Sequence, residues 1–392
     1  MKLLGEIGLL VLCLLFTLFS FAQQTPISTT VQLDPSQPET LGLDYLPGVE
    51  TYTVFAPDSD DHKYNHGVVL YPFKDKLYAM WQSSWRDEDA PETKVYYSYS
   101  ADLIHWSEPT PLTNEWNEGF TTSGGWWSHG DTLVAFINVW PDSIQPKGGF
   151  TQYMLSTDGV SWSQPDWVLG DQGNRIAGII EQDLRQLTSS RLLTAFHVQT
   201  GLHTKPYYTI DPLGITGWTQ GNMNNLLFKE EMSRELEPSW FVRKDGRVVM
   251  IFRDQSGSFQ KLASISHDGG ENWTNPELTD IPDSRSKQSA GNLPHGTAFM
   301  VFNPSGSKTR IPLAIYLSSA GDVFEQAILL RSGSPDDLQP LRYEGKYKRV
   351  GYSYPKSIVW KDHVYVGYAT NKEDVQITVI PISELIKLQD QE

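Results

Sequence analysis

The feature that most restricts this chain is a repeated turn. Three segments share one form: Ser100-Ala-Asp-Leu-Ile-His-Trp106-Ser-Glu-Pro109, Ser156-Thr-Asp-Gly-Val-Ser-Trp162-Ser-Gln-Pro165 and Ser266-His-Asp-Gly-Gly-Glu-Asn-Trp273-Thr-Asn-Pro276. Each sets a Ser, an Asp two residues on, a turn, and then a Trp and a Pro. The Asp side chain can accept backbone N–H bonds and fix the turn, while the Trp packs beneath it. Such a device staples the hairpin between two strands. The anchors recur at a near-constant spacing. Trp106 and Trp162 are 56 residues apart, and a further 56 reaches Trp218 in the degenerate segment Ile210-Asp-Pro-Leu-Gly-Ile-Thr-Gly-Trp218. Another 55 reaches Trp273, and 51 more reach Phe324. Repeats of this kind are stacked supersecondary units, and each period has room for four short strands. Five anchors therefore predict five four-stranded blades. Strands over about residues 353–382 would complete a sixth blade with an N-terminal strand near residues 51–55. The expectation is an all-β, six-bladed β-propeller, whose closure removes the open sheet edge. A β-sandwich array leaves the single register of the anchors unexplained.

Local patterning agrees. Short β-branched and aromatic runs, such as residues 68–71, 77–81, 192–197, 248–253 and 364–368, are broken by Gly, Pro, Asp and Ser. The chain is 39% hydrophobic over 392 residues, which suffices for a packed core and excludes wholesale disorder. A net charge of −16 argues against a nucleic-acid partner held through phosphates. Residues 1–22 read as a cleaved secretory signal: Lys2 starts it, residues 7–21 are almost unbroken apolar, and Ser20-Phe21-Ala22 is a small-x-small site. The lone Cys13 lies within it, so a mature chain of residues 23–392, read as one domain, has no disulfide and no Cys-based zinc site. No second long apolar run follows. The expected protein is exported, periplasmic or secreted, with no membrane span after cleavage. No metal-binding motif and no cofactor loop is apparent. Asp58-Ser-Asp-Asp61 is an acidic cluster able to bind Ca²⁺, but it reads more simply as a solvated loop.

The Ser-x-Asp-(x)-Gly-x-x-Trp segments resemble the Asp-box repeats of the sialidase superfamily of carbohydrate-active propellers. In that family the boxes are turn staples away from the chemistry. The segment Glu235-Leu-Glu237-Pro-Ser-Trp-Phe-Val-Arg-Lys-Asp-Gly-Arg-Val-Val-Met-Ile-Phe-Arg253 resembles the sialidase stretch in which a Glu precedes an Asp-Gly hairpin and an Arg ends the next strand. The match implies Glu237 as the catalytic Glu and Arg253 as a carboxylate-binding Arg. Asn303-Pro-Ser-Gly-Ser-Lys-Thr-Arg310 resembles the stretch holding the third Arg of the sialidase triad, which implies Arg310. Gly351-Tyr-Ser-Tyr354-Pro-Lys-Ser-Ile-Val-Trp-Lys-Asp-His363 resembles the strand that opens with the nucleophilic Tyr. Registering Lys361-Asp362-His363 on the family's hairpin selects Tyr354, with Tyr352 as second choice. Asp89 lies near the family's acid/base Asp.

The chemistry of this set is coherent. Two Arg can hold one carboxylate by charge-assisted bonds. A Tyr beside a Glu can lose its proton as it attacks, and Asp89 can protonate the leaving oxygen. The sequence departs from the family in the first blade, where Tyr64-Asn-His66-Gly-Val-Val-Leu-Tyr71 has His66 at the place of the first triad Arg. A first-blade His resembles the ulvan-lyase-type propellers and related rhamnosidase propellers. This opens elimination, in which the Arg pair neutralises a uronate carboxylate and His66 or Tyr354 takes the adjacent proton. His129 beside Trp126 and Trp127 is expected to contact sugar, with Trp126 stacking on it; His197 is a further polar candidate. Arg175 and the Arg285-Ser-Lys-Gln288 loop are weaker candidates for acidic-glycan contacts. The expected partner is thus an acidic oligosaccharide or polysaccharide such as ulvan, attacked at its terminal sugar by hydrolysis or elimination. An exo-α-sialidase and a non-catalytic glycan-binding propeller are the alternatives.

Overall fold

The structure is a computed structural model that describes residues 25–188, 190–229 and 232–389. The expected signal segment and Cys13 lie outside the described residues. Six antiparallel sheets follow one another along the chain. The first blade is Tyr64–Phe73, Lys76–Ser84, Lys94–Ser100 and Thr110–Pro111. The second runs from Gly119–His129 through Thr132–Pro141 and Phe150–Ser156 to Asp166–Trp167. In the third, Arg191–Val198 pairs with two short inner pieces, Gly178–Ile180 and Arg185–Thr188, and then with His203–Thr209. The fourth and fifth blades open with Glu235–Val242 and Ser289–Asn292. The sixth is Tyr352–Trp360, His363–Thr370 and Asp374–Pro381, with Glu50–Phe55 as its outer strand. The predicted closure of the ring by the N-terminal strand is therefore observed, with Thr51 opposite Thr378.

Each sheet is apolar on both faces because it packs between two neighbours. Six main apolar clusters result, one at each blade–blade interface, for example Val134, Phe136 and Phe196 between the second and third blades. The repeated turns are the staples the sequence predicts. Asp158 Oδ1 accepts from the N–H groups of Val160 (2.8 Å) and Ser161 (2.7 Å), and Ser156 Oγ accepts from Gly159. The Trp106, Trp218 and Trp273 indoles donate to carbonyls within their own turns at 2.8–2.9 Å. Even the degenerate box holds, with Asp211 accepting from Ile215 and Thr216. One short helix, Ile382–Gln389, packs Ile382 and Leu385 into the cluster between the last two blades. No helix among the described residues is long and apolar enough to cross a membrane.

The inner strands run from one face of the ring to the other, and the staples lie on the face where those strands end. Near their starts, four inner strands slip register by a bulge: between His66 and Val69, Ser123 and Gly125, Leu236 and Ser239, and Ser353 and Lys356. A bulge bends the strand and re-aims a side chain. In the first two blades the left-handed residue at the bulge is glycine, Gly67 (φ +64°) and Gly125 (φ +114°). In the fourth and sixth it is Glu237 (φ +53°) and Tyr354 (φ +55°). Side chains held there at a cost of about 1–3 kcal/mol each mark a position where the side chain matters.

Candidate active site

The four bulges surround the mouth of the central channel. A cavity of about 240 Å³ opens there, with His66, Asp89, Glu237, Arg253, Lys287 and Tyr354 among its walls. Its base is sealed. Gln182, from the break in the third blade's inner strand, donates to the Gly67 carbonyl (3.1 Å) and to Ser123 Oγ (2.7 Å), and Lys287 donates to Gln182 Oε1 (3.0 Å). One level down, Asp183 pairs with Lys356 (3.0 Å) and accepts from Ser239 Oγ (2.7 Å). Side chains bonded to one another thus cross the channel beneath the cavity.

Glu237 and Tyr354 face each other across this cavity. The Tyr354 phenol donates to Glu237 Oε1. Arg253 Nη1 reaches both Glu237 oxygens (3.0 and 2.9 Å) and the Tyr354 oxygen (3.0 Å). Its Nη2 donates to Gln255 Oε1 at 2.7 Å. Burial alone would push the Glu237 carboxyl up, but Arg253 and Lys287 overcome it and hold it below its ordinary value. Burial, reinforced by the Glu237 charge, pushes the Tyr354 phenol well above its usual range. The resting pair is therefore a carboxylate and a neutral phenol, joined by a hydrogen bond from the phenol.

His66 is 1% exposed, and its ring centroid lies 4.2 Å from that of Tyr354. Neither ring nitrogen has a protein partner. Burial, with Lys372, Arg310 and Lys287 nearby, holds its pKa well below 6.5, so the imidazole is neutral. Asp89 stands on the loop after Lys76–Ser84, half exposed and paired to Lys147 Nζ at 2.5 Å. Arg310 is buried beside Tyr354 and is not among the residues that line the cavity. Its guanidinium carbon is 5.2 Å from the phenol ring centre and its Nη1 donates to Ser353 Oγ at 2.6 Å.

Three expected site residues lie elsewhere. The bulge after Ser353 parts Tyr352 from Tyr354 and leaves Tyr352 in the core, where its phenol donates to the Ser332 carbonyl (2.7 Å) and its ring packs edge-on against Tyr368. Trp126 is 3% exposed between the first two blades, its indole bonded to the Val69 carbonyl at 3.2 Å. His129 ends its strand on the stapled face, away from the cavity. Arg175 stacks on Phe150 and Trp167, and Arg285 donates to Gln255; neither lines the cavity, whereas Lys287 of the same loop does. The acidic cluster uses its carboxylates on its own turn: Asp58 N–H donates to Asp61 and Asp60 N–H to Asp58. Among the described residues no group of three or more His, Cys, Asp and Glu side chains is placed to hold a metal ion. The sequence reading did not single out Glu181, Gln182 or Lys147.

Residues 75–366 match the BNR repeat-like domain family. The chain belongs to that family. No curated protein matches the chain in sequence. Solved structures share its fold at low identity. A sialidase is 18% identical over 92% of this chain with a TM-score of 0.57, but the chain spans only 35% of that protein. A mutant of the NanB sialidase from Streptococcus pneumoniae is 13% identical (TM-score 0.64), over 85% of this chain and 71% of its own. A Dyadobacter fermentans protein of unknown function is 15% identical (TM-score 0.63), over 86% of this chain and all of its own. The chain is thus a BNR repeat-like, six-bladed propeller that shares its fold with sialidases.

Proposed function

We propose that this propeller is an exported glycan-active enzyme that hydrolyses the terminal acidic sugar of an oligosaccharide. The observation that carries the reading is the Tyr354–Glu237–Arg253 network inside a closed-ended, cation-lined cavity. Tyr354 Oη attacks the anomeric carbon as its proton passes to Glu237. Asp89 protonates the departing glycosidic oxygen, and water then releases the sugar from the phenol oxygen. A neutral phenol is not repelled by the carboxylate of an acidic sugar, as an anionic nucleophile would be. The sealed floor supports action at a chain end, since a polymer cannot thread through. The cavity is smaller than the roughly 300–1,000 Å³ of drug-sized sites, which supports one ring. With His66 in place of a third Arg, a uronic acid, as in ulvan, is preferred to sialic acid. The sialidases among the similar folds keep the latter as the alternative.

Elimination is favoured by one observation, the neutral, unpartnered His66 ring beside Tyr354, which is able to accept a proton. Mass change on a panel of uronate-terminated and sialylated oligosaccharides tests both. Cleavage with gain of one water is expected. An unsaturated product absorbing in the ultraviolet replaces hydrolysis by elimination, and binding without turnover makes the propeller a lectin.

A further inference from the structure

Glu237 sits in a backbone conformation that its own strand does not hold. Its φ is +53°, at the point where pairing with Val248–Asp254 slips register. Such a conformation persists only where surroundings over-determine it. Here the surroundings are two side chains from neighbouring blades. The Glu237 N–H donates to His197 Nε2 at 3.2 Å, and Gln288 Nε2 donates to the Glu237 carbonyl at 2.8 Å. Both backbone polar groups of the residue are therefore fixed across blade boundaries.

His197 serves this purpose in one proton arrangement only. Its Nε2 accepts, so the ring proton is on Nδ1, which faces Glu181 Oε1 at 3.2 Å. The other Glu181 oxygen accepts from Lys287 Nζ at 2.8 Å, and that ammonium lies 5.5 Å from the centre of the Tyr354 ring. His197 is 4% exposed, and burial keeps it below its ordinary pKa against the pull of Glu181 and Glu237. The line Glu181–His197–Glu237 crosses from the third blade to the fourth and ends on the peptide that aims the carboxylate.

We propose that His197, oriented by Glu181, is a positioning residue that holds the Glu237 carboxylate against Tyr354. This rests on the reading of Tyr354 and Glu237 as the reacting pair. His197 lines the cavity, but both of its ring nitrogens face protein groups, so its effect is on the geometry of the base. Removing the acceptor frees the Glu237 peptide to relax toward the ladder, and a misplacement of about 1 Å costs about 100-fold in rate.

Two measurements test it. Histidine-selective isotope labelling and nitrogen NMR, with the His197 signal identified by its loss in His197→Gln, is expected to show a neutral ring protonated at Nδ1. A ring protonated at Nε2 cannot accept from Glu237 and overturns the proposal without reference to activity. Kinetics on methylumbelliferyl glucuronide and sialoside follow. His197→Phe is expected to lose about 100-fold in kcat with KM within about three-fold, and His197→Gln, which returns an acceptor oxygen, to recover about ten-fold of that loss. Unchanged kcat in His197→Phe, or equal losses in both variants, overturns the proposal. Glu237→Gln and Tyr354→Phe run beside them: wild-type turnover in those two would sink the proposed chemistry itself, a separate outcome.

Discussion

Replacing Arg253 with Met tests the electrostatics of the cavity directly. The Arg253 and Glu237 side chains each keep only 13% exposure, and Arg253 Nη1 contacts both carboxylate oxygens and the Tyr354 phenol. Met retains most of the stem volume and removes the charge. Breaking a buried pair from one side costs about 3–5 kcal/mol, because the remaining charge is left desolvated. Tyr354 still donates to Glu237 and Lys287 still faces the cavity, so the low end, about 3 kcal/mol, applies near neutral pH. The pH dependence fixes the sign. In the wild type, Glu237 is held below its ordinary value of 4.5, so its contribution is present above that pH and fades as pH falls through the depressed value. In the variant, burial is opposed only by Lys287, Tyr354 and His197, and the folded-state value rises. The penalty is then full at high pH and shrinks as acid protonates the carboxyl. Losing Arg253 also relaxes the depression of His197, which acts in the same direction. Urea denaturation of both proteins at about pH 8 and about pH 5 is expected to show a deficit smaller by more than about 1 kcal/mol at the lower pH. A deficit equal at both values, or larger in acid, would refute an ionised Glu237 clamped by Arg253.

Tyr354→Phe is expected to reduce kcat at least about 1,000-fold while leaving Glu237 paired to Arg253, so that thermal unfolding shifts little; a large stability loss would mean the phenol is structural. Asp89→Asn is expected to slow cleavage of oligosaccharides far more than of nitrophenyl glycosides, whose leaving group needs no proton; equal losses on both would remove Asp89 from the acid role. Trp218→Ala is expected to cost about 3–5 kcal/mol in denaturation experiments with catalysis intact in the folded fraction, since the indole is 1% exposed and closes the degenerate turn through Gly214.

The ring was legible because its signal is periodic. A Trp that caps a hairpin every 51–56 residues survives the loss of the surrounding motif, as Trp218 and Phe324 do. Glu237, Arg253 and Tyr354 were legible because each sits at a fixed offset from a hairpin that sequence marks well. The errors have a common physical origin. Tyr352 and Tyr354 differ by two residues and would share a face in a regular strand; the bulge between Ser353 and Lys356 separates them, burying one phenol and exposing the other. Trp126 looked like a sugar platform, but a tryptophan in an inner strand is needed to fill the wedge between blades. Glu181 and Gln182 carry no local motif, and their partner Lys287 is marked in sequence only as part of a weaker candidate loop. They meet only when the ring closes, across separations such as the 106 residues between Glu181 and Lys287.

The outer strand of the last blade, Glu50–Phe55, has a wider consequence. Its partner, Asp374–Pro381, lies more than three hundred residues away in the chain, with Thr51 and Thr378 in register. A nascent chain therefore carries an unpaired strand throughout the synthesis of five blades, and the ring remains a gapped arc until the last is made. Loop-closure entropy and high contact order make that final step slow. Such an arc exposes a raw sheet edge, the state most open to mispairing with another chain. Deleting either terminal segment should thus yield an aggregating arc rather than a smaller, weaker ring, and the cavity, whose walls come from both ends of the chain, would not exist until the ring had shut.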